Sequence, residues 1–338
     1  MIPRDVQLEL VREAARAPSV HNVQPARWRF DGTDGVRLYR SLERTLPVAD
    51  PTGRDVRQSL GAAFEGLAIA LSRRGLALGA PLFAARDDGT TPAGLELVCS
   101  ARTNSGRELD PLAAWVELRR AFRGRFDTAS VAELRSLGEH FERSDDVRLA
   151  LGAAIAALAR RYDRASFGFL SQSAYMREFH GWCRFLRSHP GWNRDGLNAD
   201  CLGLGAAERL AASVLLHPRV FAGLRRLGLA RALVSEAVQV RSSAAIVLFA
   251  PRRDLDAFDA GRRFYRLWLE FTSLGFHACP LSALADERSA AEIVEREHGV
   301  PEERRLLNAF RLGIVRGARV PTSARLPSDE LLLVEAGG

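Results

Sequence analysis

Apolar positions recur at helical spacing from Pro3 to Ala17: Val6, Leu10, Val11 and Ala14 share one face, and Pro18 closes the run. Two short alternating runs follow, Trp28-Arg29-Phe30 and Val36-Arg37-Leu38-Tyr39. They flank the Gly/Asp turn Asp31–Gly35 and predict a hairpin. Gln58 to Arg73 reads as a long apolar helix through Leu60, Phe64, Leu67, Ile69 and Leu71. Leu95–Cys99 reads as a strand, and the polar run Arg102–Gly106 breaks the pattern. A boundary near Leu109 divides the chain. The second part is predicted to open with a helix over Leu112–Phe122 and to stay mostly helical to about Val240, with an exposed loop at His189–Gly196. Ala244–Ala250 predicts a buried strand. Asp254 or Asp256 caps a helix reaching Leu274, with Phe264, Leu267, Trp268 and Phe271 on its buried face. Strands are predicted at Phe310–Val315 and Leu331–Val334. This mixture gives an α+β fold in which each part is built around its own small sheet. The parts look alike in one respect: each sets a long apolar helix before a glycine turn and a strand, at Leu71–Leu76 and at Phe271–Phe276.

The chain has 338 residues, 47 % of them apolar, enough for a sizeable core. No apolar run has membrane-spanning length, which argues against a membrane partner, and no secretory h-region follows Met1. Cys99, Cys183, Cys201 and Cys279 are far apart and form no CxxC pair. The expectation is a reduced, cytoplasmic protein with no metal site. All 48 basic residues are arginine, and net charge is +7. Acidic residues interrupt them nearly everywhere, which argues against a nucleic-acid stripe. A small phosphate-bearing ligand suits bidentate arginine better.

Four segments carry candidate chemistry. Ala17-Pro18-Ser19-Val20-His21-Asn22-Val23-Gln24-Pro25 crowds Ser19, Asn22 and Gln24 into a short turn, able to bond a planar heterocycle edge-on or simply to form an Asx-type turn. Arg119-Arg120-Ala121-Phe122-Arg123-Gly124-Arg125 can hold a phosphate, or can be a solvated helix end. Gly275 to Ala283 leads through Pro280, Leu281, Ser282 and Ala283, where a backbone N–H can face a ligand or merely connect elements. Pro321–Pro327 holds Arg325 in a stiff loop that suits phosphate capture or a plain linker.

In this order, APSxxNxQP, RRxxRGxF, a helix–GxxxxP loop and SxRLP before the chain's end, the sequence resembles the FMN-dependent nitroreductase family, above all its long, internally duplicated Acg-type branch. The resemblance implies a nitroreductase-like α+β fold of two fused halves, 1–109 and 110–338, forming an intramolecular pseudo-dimer. The second half would carry a helical lid insert at about 166–233 and a C-terminal strand arm. It implies one FMN per chain, so that a monomer suffices. Ser19, Asn22 and Gln24 would approach the isoalloxazine; Arg119, Arg123 and Arg325 would hold the phosphate; Pro280, Leu281, Ser282 and Ala283 would face the N5 edge.

Three departures stand out: Ala121 replaces a hydroxyl, Ser323 replaces a lysine common in the family, and Leu281-Ser282-Ala283 lacks an acidic residue. The implied activity is hydride transfer from NAD(P)H through FMN to a small organic acceptor, with no side-chain acid or base required. The alternatives are a flavin-storing protein with little turnover, a biosynthetic FMN-dependent dehydrogenase, and a flavin-fragmenting enzyme.

Overall fold

The computed structural model describes residues 2–83, 91–317 and 320–334. Helix α1 (Arg4–Ala14) buries Leu10, Val11 and Ala14 and leads to the hairpin β1 (Ala26–Asp31) and β2 (Gly35–Ser41), with Trp28 opposite Leu38. Helix α2 (Arg54–Ser72) follows, buried without a break from Ser59 to Ser72, as an apolar-all-round helix must be. Strand β3 (Leu76–Leu78), the two-residue β4 (Leu82–Phe83) and β5 (Leu95–Ser105) complete an antiparallel sheet of order β1-β2-β5-β3, with β4 also on β5. The polar run expected to end β5 instead continues it, because Leu76–Leu78 pairs with Thr103–Ser105 along its far end.

Helix α3 (Val131–Phe141) has a Ser130/Glu133 capping box and precedes β6 (Val147–Ala150). Six helices then intervene: α4 (Ala153–Leu170), α5 (Ser173–Trp182), α6 (Ala206–Leu215), α7 (Pro218–Arg226), α8 (Ala230–Val234) and α9 (Ala237–Arg241), with a minimal parallel pair β7 (Cys183–Arg184) and β8 (Leu197–Asn198) between α5 and α6. Strand β9 (Ala245–Phe249) is wholly buried. Helix α10 (Ala257–Ser273), capped by Asp256, leads to β10 (His277–Pro280), then α11 (Ala283–Asp286), α12 (Arg288–Glu297), β11 (Asn308–Gly313) and α13 (Ser328–Leu331). The second sheet has the order β6-β9-β11-β10.

The two sheets share a plan. In each, a helix precedes the edge strand, the second strand feeds a long central helix, that helix ends at a left-handed glycine (Gly75, Gly275), and the next strand takes the opposite edge. The difference lies between the first two strands. A three-residue turn joins β1 to β2, whereas residues 151–244 join β6 to β9.

Helices α2 and α10 cross where neither carries a side chain. A Cβ on Gly61 would lie 1.8 Å from the Phe258 carbonyl oxygen, and one on Gly261 would lie 2.0 Å from that of Gln58. Each glycine meets the residue three positions before the other, a self-complementary contact. Glu65 of α2 binds Arg262 and Arg266 of α10 at 2.9 Å each, and Arg266 also takes Asp110 at 2.8 Å. Helix α10 divides its face between two cores: Phe258, Tyr265 and Leu269 join the first, and Leu267, Trp268 and Phe271 the second.

Four local expectations are corrected. Residues 112–122 form only a single 3-10 turn, Ala113–Trp115, after Pro111; turns follow to Leu118, and Ala121 bridges to Ala278 of β10. The helical tract hides β6, a short edge strand whose half-buried pattern carries no strong alternation. The final strand shrinks to one bridge, Leu332 on Trp28, after the turn of α13. Within the loop at 189–196, Trp192 is buried rather than exposed. No helix among the described residues is long and apolar enough to cross a membrane.

Candidate functional site

The turn after α1 is strained. His21, Asn22 and Gln24 have φ of 45°, 56° and 52°, each costing on the order of 1–2 kcal/mol for a residue with a Cβ. Hydrogen bonds hold them there. Ser19 Oγ accepts from the Gln24 amide at 3.0 Å. Asn22 Nδ2 donates to the carbonyls of Gly196 (3.1 Å) and Ala324 (3.0 Å), and its Oδ1 accepts from Arg325 at 2.9 Å. Gln24 Nε2 donates to the Arg194 carbonyl at 2.8 Å, and its Oε1 accepts from the Leu326 amide at 2.8 Å. The turn therefore ties together the N-terminal chain, the 151–244 insert and the C-terminal arm. Both Asn22 donors are taken, so its amide organises the turn rather than offering free donors. Beside the turn, Ser19, Gln24, Trp28, Ser59, Ala63 and Leu331 line a small cleft.

Near the α1 C-terminus, Arg16, Arg119, Arg120, Thr322, Ser323 and Arg325 line a second small cleft. Arg16 pairs with Glu117 at its rim at 3.0 Å. Among the described residues, Arg119, Arg120 and Arg325 have no carboxylate partner. Arg119 is buried, stacked 4.5 Å from the Trp268 ring centroid, with Nη2 on the Arg16 carbonyl at 2.8 Å. Its Nε and the buried Tyr265 hydroxyl nearby form no hydrogen bond of good geometry. Burial, with Arg120 and Arg16 close by, pulls the Arg119 pKa down to about 10. Burial, Arg119 and Arg16 pull Arg325 down to about 9. Both stay charged at neutral pH, so the cavity holds like charges that an anion would relieve.

Arg325 is more than a pocket wall. It also reaches the carbonyls of Ala15, Arg16 and Ala17 and so caps α1. Arg325 thus serves the fold as well as the cavity. Arg120 lines the cavity as well. Arg16 was not in the sequence reading at all; its signal is its place in the last turn before Ala17-Pro18-Ser19. With Arg120, it lines the same cleft as Ser323.

Arg123 stands apart from this cavity. It is half-buried, with no hydrogen bond or ion pair among the described residues. Burial opposes its charge, but the neighbouring Cys279, Glu236 and Tyr162 outweigh that and raise its pKa. Arg123 in turn acts on His21: burial first, then this cation, lowers the His21 pKa to about 4. His21 Nδ1 has no partner, and its ring meets Phe179 of the insert edge-on at 5.7 Å. Through Cys279 this group adjoins Pro280. The Leu281 amide is already bonded to the Ala309 carbonyl at 2.7 Å, while Ser282 and Ala283 open α11. The structure thus brings Arg119 and Arg325 to one cavity, and sets Arg123 and Pro280 about a second group with His21.

No protein-family model matches the chain. A Mycobacterium tuberculosis protein provisionally named NAD(P)H nitroreductase acg is 35 % identical over 75 residues, 22 % of each chain. A second one from that organism, provisionally named an NAD(P)H nitroreductase, is 40 % identical over 62 residues, 18 % of each chain. These matches relate the chain to the nitroreductase family. The chain thus covers about a fifth of the length of these curated relatives. Solved structures similar to this nitroreductase relative include the FMN-dependent nitroreductase NfnB of Mycobacterium smegmatis in complex with NADPH, at 18 % identity and TM-score 0.36, covering 62 % of this chain and 92 % of that one. A nitroreductase, so named provisionally, from Anabaena variabilis aligns with TM-score 0.48 and 10 % identity over 94 % of this chain and 90 % of its own.

Proposed function

We propose that this nitroreductase relative binds one FMN per chain, with the phosphate in the arginine cavity, and works as an NAD(P)H-dependent flavin oxidoreductase. The observation that carries the reading is that cavity: four arginines, two hydroxyl residues and no buried carboxylate. The fit to a phosphate rests on charge and on Arg119 Nε, a buried donor of the cavity wall without a well-formed hydrogen bond. FMN would supply hydride chemistry, moving electrons from NAD(P)H to a small organic acceptor.

The chain's own residues do the positioning. Arg16, Arg119, Arg120 and Arg325 bind the anion. Ser19, Asn22 and Gln24 fix the turn that walls the ring end. Arg123, His21 and the Pro280–Ala283 loop are assigned to the ring itself, with His21 neutral and Arg123 cationic. The parallel strand orders and the reciprocal Gly61/Gly261 contact support an internal pseudo-dimer whose halves are 1–109 and 110–338. The insert is the lid, latched by Asp195 between Arg44 (3.0 Å) and Arg184 (2.9 Å).

A flavin-storing role is the second reading. It is favoured by how firmly the insert is tied to the Asn22 turn at Arg194 and Gly196. Anaerobic addition of NADH or NADPH separates the two: bleaching of bound flavin, with colour restored by air, supports the enzyme, and an unbleached flavin supports storage. The binding site is tested by titrating FMN and riboflavin into wild type and Arg120→Ala. FMN should weaken about tenfold or more and riboflavin should not change. Equal loss of both ligands would remove the phosphate assignment.

A further inference from the structure

The insert has an outward surface that the flavin reading does not use. Among the described residues, exposed large apolar side chains gather on α6, α7 and α8: Leu210 (63 % exposed), Val214 (54 %), Leu227 (73 %) and Leu229 (59 %), with Val220 and Leu233. Their spacing is helical. Leu210 and Val214 are four apart on α6; Val220 and Leu227 are seven apart along α7 and its end; Leu229 and Leu233 are four apart at α8. The opposite faces are accounted for: Phe221 and Ala230 are buried, with Leu224 and Val234 packed against the same small core.

Arginines surround these residues. Arg219, Arg225, Arg226 and Arg241 are exposed and have no ion pair among the described residues. The stretch holds two acids, and both are already engaged. Glu208 caps the Gly205 amide at 2.7 Å, and Glu236 accepts from the Tyr162 hydroxyl at 2.8 Å. Arg209 and Arg231 on the same stretch pair with Asp200 and Asp163 at 3.7 Å, and the four other arginines leave the surface apolar and net basic.

We propose that α6–α8 form a docking surface for an anionic lipid bilayer, on which the protein sits peripherally. Leucines that project among unpaired arginines can enter the headgroup boundary while the guanidinium groups meet lipid phosphates. A second copy of the chain fits less well, because a self-complementary contact would set this basic face against itself. Single-stranded nucleic acid would want aromatic platforms among the arginines, and leucines stand there instead. The expectation of no membrane partner rests on the lack of a spanning run, and a surface attachment needs none.

The test is co-sedimentation of the full chain with vesicles at physiological ionic strength. Wild type should partition onto vesicles of equal phosphatidylcholine and phosphatidylglycerol and not onto pure phosphatidylcholine. Arg225→Gln/Arg226→Gln should weaken this roughly thirtyfold, and Leu227→Ser/Leu229→Ser at least about tenfold. All four side chains are exposed, so both variants should keep the wild-type circular dichroism and FMN titration. No binding to anionic vesicles by wild type overturns the proposal. Equal binding by both variants does so too, as does a concentration-dependent dimer that these changes abolish.

Discussion

The two sheet units meet in two places built on opposite terms. At the α2–α10 crossing, Gly61 and Gly261 let backbones touch, and the charges beside them are matched, Glu65 with Arg262 and Arg266. At the arginine cavity, cations gather around one rim carboxylate and buried donors are left over. A crossing satisfied in all its groups holds the units together and has nothing further to bind. A cavity with surplus charge destabilises the chain slightly and can bind a ligand. Stability and ligand chemistry are therefore separable here, and substitutions should move one without the other.

The largest effect should come from Gly261→Val. Its Cβ would meet the Gln58 carbonyl, a backbone atom with no room to give, so unfolding free energy should fall by about 3 kcal/mol. Gly138→Ala, in open space on α3, should be neutral or mildly stabilising. Urea melts of the two would separate a packed crossing from a general intolerance of helix glycines; a harmless Gly261→Val breaks the comparison.

Next comes pH. His21 has a folded pKa of about 4 against about 6.5 when unfolded. The unfolded chain then binds the extra proton first, so this group lowers stability as pH falls from about 6.5 to about 4, by up to about 3 kcal/mol, and costs nothing at pH 8. His21→Asn keeps a residue tolerant of left-handed φ and should flatten that part of the stability–pH curve. An unchanged curve would remove His21 from the strained centre.

Arg119→Ala follows. It should weaken FMN by about ten- to a hundredfold, and riboflavin far less, since one charge-assisted bond contributes roughly 1.5–3 kcal/mol. Flavin titrations of both ligands check it, and a parallel loss of riboflavin would make Arg119 a structural stacker on Trp268 instead. Smallest is Asp195→Asn, which loosens the latch to Arg44 and Arg184. It should cost about 1 kcal/mol and raise the flavin release rate several-fold, read by dilution into apoflavodoxin or charcoal. Unchanged release would mean that the insert does not gate the ring.

Much of the fold was legible because its signals are local. The β1–β2 hairpin follows from alternation around Gly32, α10 from Asp256 and its apolar face, and β9 from an unbroken apolar run. Edge elements were not legible: β6 is short and half-wet, and the last strand is a single bridge that depends on Trp28, far away in sequence. In the candidate site, the segments come together in the fold, but the hydrogen bonding within them was not legible. Asn22, Gln24 and Arg325 read as ligand donors because they are polar residues in turns. Only the folded chain shows that the Arg194, Gly196 and Leu326 backbone and the α1 carbonyls already use them. Arg16 was hidden for the reverse reason, as one more charged residue at a helix end.

The β6–β9 connection has a further consequence. Two units of one strand order differ in the link between their first two strands: residues 151–244 stand where the Asp31–Gly35 turn stands in the first unit. A site that has accommodated a whole helical layer is a graft point. Its counterpart at Gly32, where a side chain would meet nothing within 4 Å, is the place to splice a reporter or a second helical layer into this scaffold.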